Sequence, residues 1–155
     1  MEIVIRRARP DEMVLLCELD LAIFGEDDGF NSVDLWDGLA TYLILADNKV
    51  VGSIAMRLHT DIAESYEADY LDRPGSIYIV STGILPKWQG KGIGAIAKSF
   101  EIDYARKLNF ERIVTNARAS NIRNIKLNQK FGFQIIRTIA KWYGNEDAVV
   151  LELKL

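Results

Sequence analysis

Apolar and polar positions along the chain switch between a period of two and a period near 3.6, and the switch points define the elements. Alternating or short β-branched runs at residues 2–7, 42–46, 50–58, 76–84, 112–118, 133–142 and 148–155 predict strands. Helical spacing predicts a helix over residues 10–24, with Pro10 in the first turn and Asp11 and Glu12 at the positive end of its dipole. A second begins at Ile93 and ends near Asn109, with Ile93, Ile96, Ala97, Phe100, Tyr104 and Leu108 on one face. A third spans residues 122–131, capped by Ser120 or Asn121 and closed by Gly132. A weaker helical piece falls at residues 32–39. Asp47-Asn48-Lys49 predicts a tight hairpin, Gly144-Asn145-Glu146-Asp147 a second turn, and Glu26-Asp27-Asp28 an acidic loop. Residues 60–75 read as a polar loop or a loosely helical flap. The pattern is that of one mixed α/β domain, residues 1–155, without repeats or an interdomain linker.

Composition narrows the function classes. With 49% apolar and 26% charged residues the chain has the balance of a soluble globular protein, and no apolar run approaches the ~20 residues needed to span a bilayer. The first residues lack the pattern of a secretory signal, so a cytoplasmic location is expected, with no membrane partner. One cysteine, Cys17, and one histidine, His59, exclude a disulfide framework and leave no ligand set for a dedicated zinc site. A formal charge of −3 argues against nucleic acid as a partner. The oligomeric state, a homodimer included, is left open.

The most informative stretch is Gln89-Gly90-Lys91-Gly92-Ile93-Gly94-Ala95, where an apolar strand ends in a glycine turn that opens a long helix. Glycines there expose backbone N–H groups beside the positive end of a helix dipole, which makes a seat for phosphate. A Walker A loop needs Ser or Thr after its lysine, but Lys91 is followed by Gly92. A dinucleotide fingerprint would need an acid ending the next strand, and that strand ends in Asn116-Ala117-Arg118.

Gln89-Gly90-Lys91-Gly92-Ile93-Gly94 resembles the Gln/Arg-x-x-Gly-x-Gly/Ala signature of the GNAT N-acetyltransferase family. Arg118-Ala119-Ser120-Asn121, then Lys130-Phe131-Gly132-Phe133, resemble the family's later Asn-to-Gly-Phe helix, and Tyr143-Gly144-Asn145-Glu146-Asp147-Ala148 its closing hairpin. The resemblance implies the GNAT fold, a central and mostly antiparallel sheet splayed at a bulge and flanked by helices, with acetyl-CoA as the cofactor. It implies that the backbone of Thr82, Gly83 and Ile84 pairs with the pantetheine arm and that Gln89, Gly90, Lys91, Gly92, Ile93, Gly94 and Ala95 take the pyrophosphate. Asn121 and Asn128 would face the cofactor from the third helix. For Lys91 a solvated turn lysine is the competing reading, and for Asn121 a simple helix cap.

The implied reaction is direct acetyl transfer to an amine, a small amine or a peptide amino group, without a covalent enzyme intermediate. Cys17 lies in an apolar helix remote in sequence from the turn. The nearest branch in appearance, the ribosomal-protein alanine acetyltransferases, carries a glutamate five residues before the motif Asn and a tyrosine seven after it. Asn116 and Asn128 stand there, and neither exchanges a proton near neutral pH. Tyr78, on one strand face with Val80 and Thr82, is then the first candidate for an acid or a water-linked relay, and His59 the second. Trp142 and Tyr143 are expected to line the acceptor pocket, with sheet packing as the competing reading. The acidic loops favour a cationic amine over an acidic acceptor. The rival function is a catalytically inactive CoA-binding sensor or interaction module.

Overall fold

The computed structural model describes residues 1–28, 32–58 and 75–155. The strands are β1 (Ile3–Arg7), β2 (Ala40–Ala46), β3 (Lys49–Leu58), β4 (Ser76–Ile84), β5 (Arg112–Arg118), β6 (Gln134–Ile139) and β7 (Ala148–Lys154), and the helices α1 (Met13–Asp28), α2 (Ile93–Lys107) and α3 (Ile122–Lys130). The seven strands form one sheet in the order β1-β2-β3-β4-β5-β7-β6. The β1–β2, β2–β3, β5–β7 and β6–β7 pairs are antiparallel, whereas β4 and β5 run parallel. This is the mixed α/β, mostly antiparallel sheet flanked by helices that the sequence predicts.

The chain divides into two compact units, one built from Met1–Arg57 and Val80–Phe100, the other from Leu58–Ile79 and Glu101–Leu155. In the first, Asp47 and Asn48 both adopt positive φ (47° and 68°), the left-handed pair that a two-residue hairpin between β2 and β3 requires. The core is made where α1 packs Leu16 and Leu19 against Ala8, Trp36, Leu43 and Ala55. Each fully buried aliphatic of this kind contributes about 1.5–3 kcal/mol. The helical signal that fades after Phe24 has its cause at Gly25, whose φ of 80° breaks α1, although a further helical turn follows to Asp28 where the sequence predicts an acidic loop. The weak helical piece is a single 3-10 turn, Val33–Trp36, and Trp36 at its end is 2% exposed.

β3 and β4 approach very closely in this unit. A Cβ on Gly52 would collide with the Gly83 carbonyl oxygen, so only a glycine fits there. Leu85 N–H, just past β4, donates to the Val51 carbonyl at 2.8 Å.

In the second unit the first half of β4 pairs with β5 in register from Ser76↔Arg112 to Ile79↔Thr115. On its other side β5 pairs with β7 along its whole length, from Arg112↔Lys154 to Arg118↔Ala148. β6 is the sheet edge and is shorter than the predicted strand 133–142. It stops at Ile139, and Lys141 takes a positive φ of 56°, so Trp142 belongs to the turn rather than to the strand. Among the described residues no helix is long and apolar enough to cross a membrane.

Candidate active site

The glycine turn is built from the end of β4 outward. Pro86–Trp88 forms one 3-10 turn, with Trp88 N–H donating to the Leu85 carbonyl at 2.8 Å and Gln89 N–H to the Pro86 carbonyl at 3.3 Å. The Gln89 side chain folds back and donates from Nε2 to the Ile84 carbonyl at 3.0 Å, tying the turn to the strand it leaves. Gly90 and Gly92 hold φ values of 76° and 83°, and an added Cβ at Gly92 would meet nothing within 4 Å. Glycine therefore supplies the left-handed conformation at that point rather than room.

α2 starts immediately after this turn. Ile96 N–H donates to the Gly92 carbonyl at 3.3 Å, so the N–H groups of Ile93, Gly94 and Ala95 precede the helical ladder. Gly90, Lys91 and Gly92 are exposed, and Ile93 is buried as the first anchor of α2. Free N–H groups at the positive end of a fifteen-residue helix suit a diphosphate. Upstream, Gly83 is buried with the Phe24 ring and Ile23 directly over it, where an added Cβ would come within 2.9–3.0 Å. Thr82 and Ile84 flank it, each partly buried.

The second unit carries the remaining predicted residues. Strand alternation puts Tyr78, Val114 and Asn116 on one sheet face, because Tyr78 lies opposite Val114 and Asn116 follows two residues later. Val150, directly across from Asn116 on β7, shares that face. Val114 and Val150 are fully buried, and Tyr78, Ile139 and Trp142 pack onto them. Glu152, opposite Val114, is a buried polar side chain on the same face, and beside it both side-chain amide atoms of Asn116 are buried and make no hydrogen bond among the described residues. An unsatisfied buried polar group costs about 1–3 kcal/mol.

Asn121 caps α3, its side chain accepting from Asn124 N–H at 3.2 Å. Asn128, seven residues on, is 1% exposed and donates from Nδ2 to the Asn124 carbonyl (2.9 Å) and to Asn124 Oδ1 (3.0 Å). Its Oδ1 is buried without a partner among the described residues. The two asparagines differ in environment because Asn121, at φ −82° and ψ 67°, lies outside the helical repeat that would align them.

The turn after β6 is fastened to the end of β5. Arg118 Nη1 lies 3.3 Å from Glu146 Oε2 and 3.4 Å from Asn145 Oδ1, and its guanidinium stands 4.5 Å from the Tyr143 ring centroid. Glu146 Oε1 accepts from Ser120 N–H at 2.7 Å. Hydrogen bonds from Ser120, foremost its side chain, together with the Arg118 charge, hold the Glu146 carboxyl below the usual carboxylate range. Ala119 N–H donates to the Asp147 carbonyl at 3.1 Å and Lys141 N–H to Asp147 Oδ1 at 3.0 Å.

The structure thus gathers residues 82–95 in one unit and Tyr78, Asn121, Asn128, Trp142 and Tyr143 in the other, while His59 lies outside the described residues. Sequence reasoning missed the Arg118–Glu146 pair and the orphaned Asn116 amide. Alternation along residues 112–118 could have placed Asn116 beside Val114. A pair 28 residues apart leaves no local signal.

Residues 13–133 match the model of the acetyltransferase (GNAT) family, and the chain belongs to that family. It is 32% identical over 120 residues to an N-alpha-acetyltransferase of Saccharolobus solfataricus, covering 74% of this chain and 68% of that protein. The fold is also that of the ribosomal-protein-S18-alanine N-acetyltransferase of Escherichia coli, with a TM-score of 0.80 at 14% identity, covering 99% of this chain and 94% of the other. A Bacillus subtilis acetyltransferase solved in complex with CoA gives a TM-score of 0.77 at 22% identity over 99% of each chain.

Proposed function

We propose that this chain, acting as one domain over residues 1–155, transfers acetyl from acetyl-CoA directly to a primary amine, on a small molecule or at a peptide amino group. The observation that carries the reading is the turn at Gly90 and Gly92, whose left-handed backbone leads into the unladdered N–H groups at the start of α2. Those groups bind the cofactor's pyrophosphate, with Lys91 as an added charge, and the β4 segment Thr82, Gly83, Ile84 holds the pantetheine arm. Asn121 and Asn128 contribute amide hydrogen bonds from α3. When bound, acetyl-CoA supplies an activated thioester, and the protein's task is to orient the amine and remove its proton.

Tyr78 is assigned the proton-handling role, with His59 as second relay, and Trp142 and Tyr143 line the acceptor side. Support comes from the match to the family, from the CoA complex of the B. subtilis acetyltransferase, and from the packing of Tyr78 and Trp142 about one buried valine pair. The test pairs calorimetry against acetyl-CoA with an amine and peptide panel read as free CoA. Binding with turnover is expected. Tight binding with no turnover on any amine would make the chain a CoA-binding module instead.

A further inference from the structure

Gly83, in the β4 segment proposed to hold the pantetheine arm, is closed in from two sides by residues of its own unit. On one side its carbonyl oxygen lies where a Cβ on Gly52 of β3 would stand, so β4 cannot retreat toward β3. On the other, the Phe24 ring and the end of Ile23 come within 2.9–3.0 Å of where a Cβ on Gly83 would stand. The two α1 residues that make this wall are held with different firmness. Ile23 packs into the core around Leu16, Leu19 and Leu43, whereas Phe24 is 37% exposed and adjoins Gly25, whose φ of 80° breaks the helix. Phe24 is therefore the part of the wall that can move, or be cut away, without disturbing the core.

We infer that Phe24 limits the length of the acyl group that this chain accepts and so selects acetyl-CoA over longer acyl-CoA thioesters. This rests on the acetyltransferase reading given above. With the pyrophosphate at residues 89–95 and the pantetheine arm along Ile84, Gly83 and Thr82, the arm runs back down β4. Its acyl end then comes to the part of the segment that Phe24 and Ile23 cover. An acetyl group ends in one methyl, while a butyryl group adds two methylenes that must displace the ring. With β3 behind Gly83 and Ile23 locked in the core, that crowding falls on Phe24. One methylene in an apolar pocket discriminates by about 10- to 200-fold.

The test measures the affinities of acetyl-, propionyl- and butyryl-CoA by calorimetry, and kcat/KM for each thioester with the best amine. The proteins are wild type, Phe24→Ala and, as a control at another exposed α1 side chain, Leu21→Ala. Wild type should bind butyryl-CoA about 10-fold more weakly than acetyl-CoA. Phe24→Ala should bring the two affinities within about 2-fold and raise the butyryl-to-acetyl ratio of kcat/KM about 10-fold, whereas Leu21→Ala should move neither. Equal wild-type affinity for the three thioesters overturns the inference, as does an unaltered acyl ratio in Phe24→Ala. A changed amine preference at constant acyl ratio also overturns it, by placing the ring against the acceptor. If wild type binds acetyl-CoA but turns over no amine, the transferase reading falls, and the binding series alone decides the role of Phe24. Failure to bind any of the thioesters overturns both.

Discussion

Arg118 and Glu146, 28 residues apart in sequence, meet at 3.3 Å and join the turn bearing Tyr143 to the cap of α3. Arg118 stacks on Tyr143 while Glu146 reaches Ser120, so one ion pair fixes the Tyr143 ring and the chain leading into α3; on the proposed function these lie on the acceptor and cofactor sides. Both side chains are about a quarter exposed, which screens the attraction and leaves geometry as their main contribution. Arg118→Gln or Glu146→Gln should raise the acceptor KM about 3-fold with little change in kcat. Arg118→Lys should not restore it, because a point ammonium lacks the planar fork that stacks and pairs at once. Steady-state kinetics on the best acceptor decides this.

Glu12 gives the first unit a pH-dependent staple. Both its oxygens receive Arg6 nitrogens at 2.8 Å, and the Arg9 N–H donates to Oε1 at 2.9 Å. The Arg6 hydrogen bonds first, and then the Arg9 N–H, bring its carboxyl down to about 2. A folded value below the unfolded one means this stability is fully present above the ordinary carboxylate range and is lost as pH falls toward 2. Glu146 titrates in the same direction. Urea unfolding of wild type should weaken between about pH 5 and pH 2, and Glu12→Gln should flatten that limb.

The close approach of β3 and β4 ranks two glycine substitutions. At Gly52 the obstacle is the Gly83 backbone, which cannot give way, whereas at Gly83 it is the edge of the Phe24 ring and the end of Ile23. Gly52→Ala should therefore cost the upper part of the overpacking range of about 1–3 kcal/mol, and Gly83→Ala less. Thermal denaturation of the two variants checks the order.

At Gly92 the space is open but φ is 83°. Gly92→Ala should lose only about 1–2 kcal/mol of stability through the left-handed backbone. Acetyl-CoA affinity should fall about 10-fold if the turn shifts its N–H groups to relieve that strain. Calorimetry and thermal unfolding on the same sample separate the two effects.

The fold was legible wherever local signals agreed. β4 and β5 run over the residues that apolar runs predict, and α2 begins at Ile93 because the glycine turn leaves no earlier start. The sequence overshot at β6, since Trp142 continues an apolar pattern although the chain has already turned at Lys141. The left-handed backbone at Gly90 and Gly92 was readable because glycine spacing is a local signal, whereas the state of Asn116 depends on which residues lie across the sheet. Register and pairing at a distance set it, and single-residue patterns carry neither.

Direct transfer moves the acetyl group from CoA to the amine with no acetylated side chain on the way. The most direct measurement follows a single turnover of acetyl-labelled acetyl-CoA by mass spectrometry, with wild type and with Cys17→Ala. Cys17 is a partly buried residue packed against the α1 core. The expected result is label on the amine in both proteins and none on the protein chain. Label retained on Cys17, or bound acetyl-CoA with no acetylated amine, would contradict it.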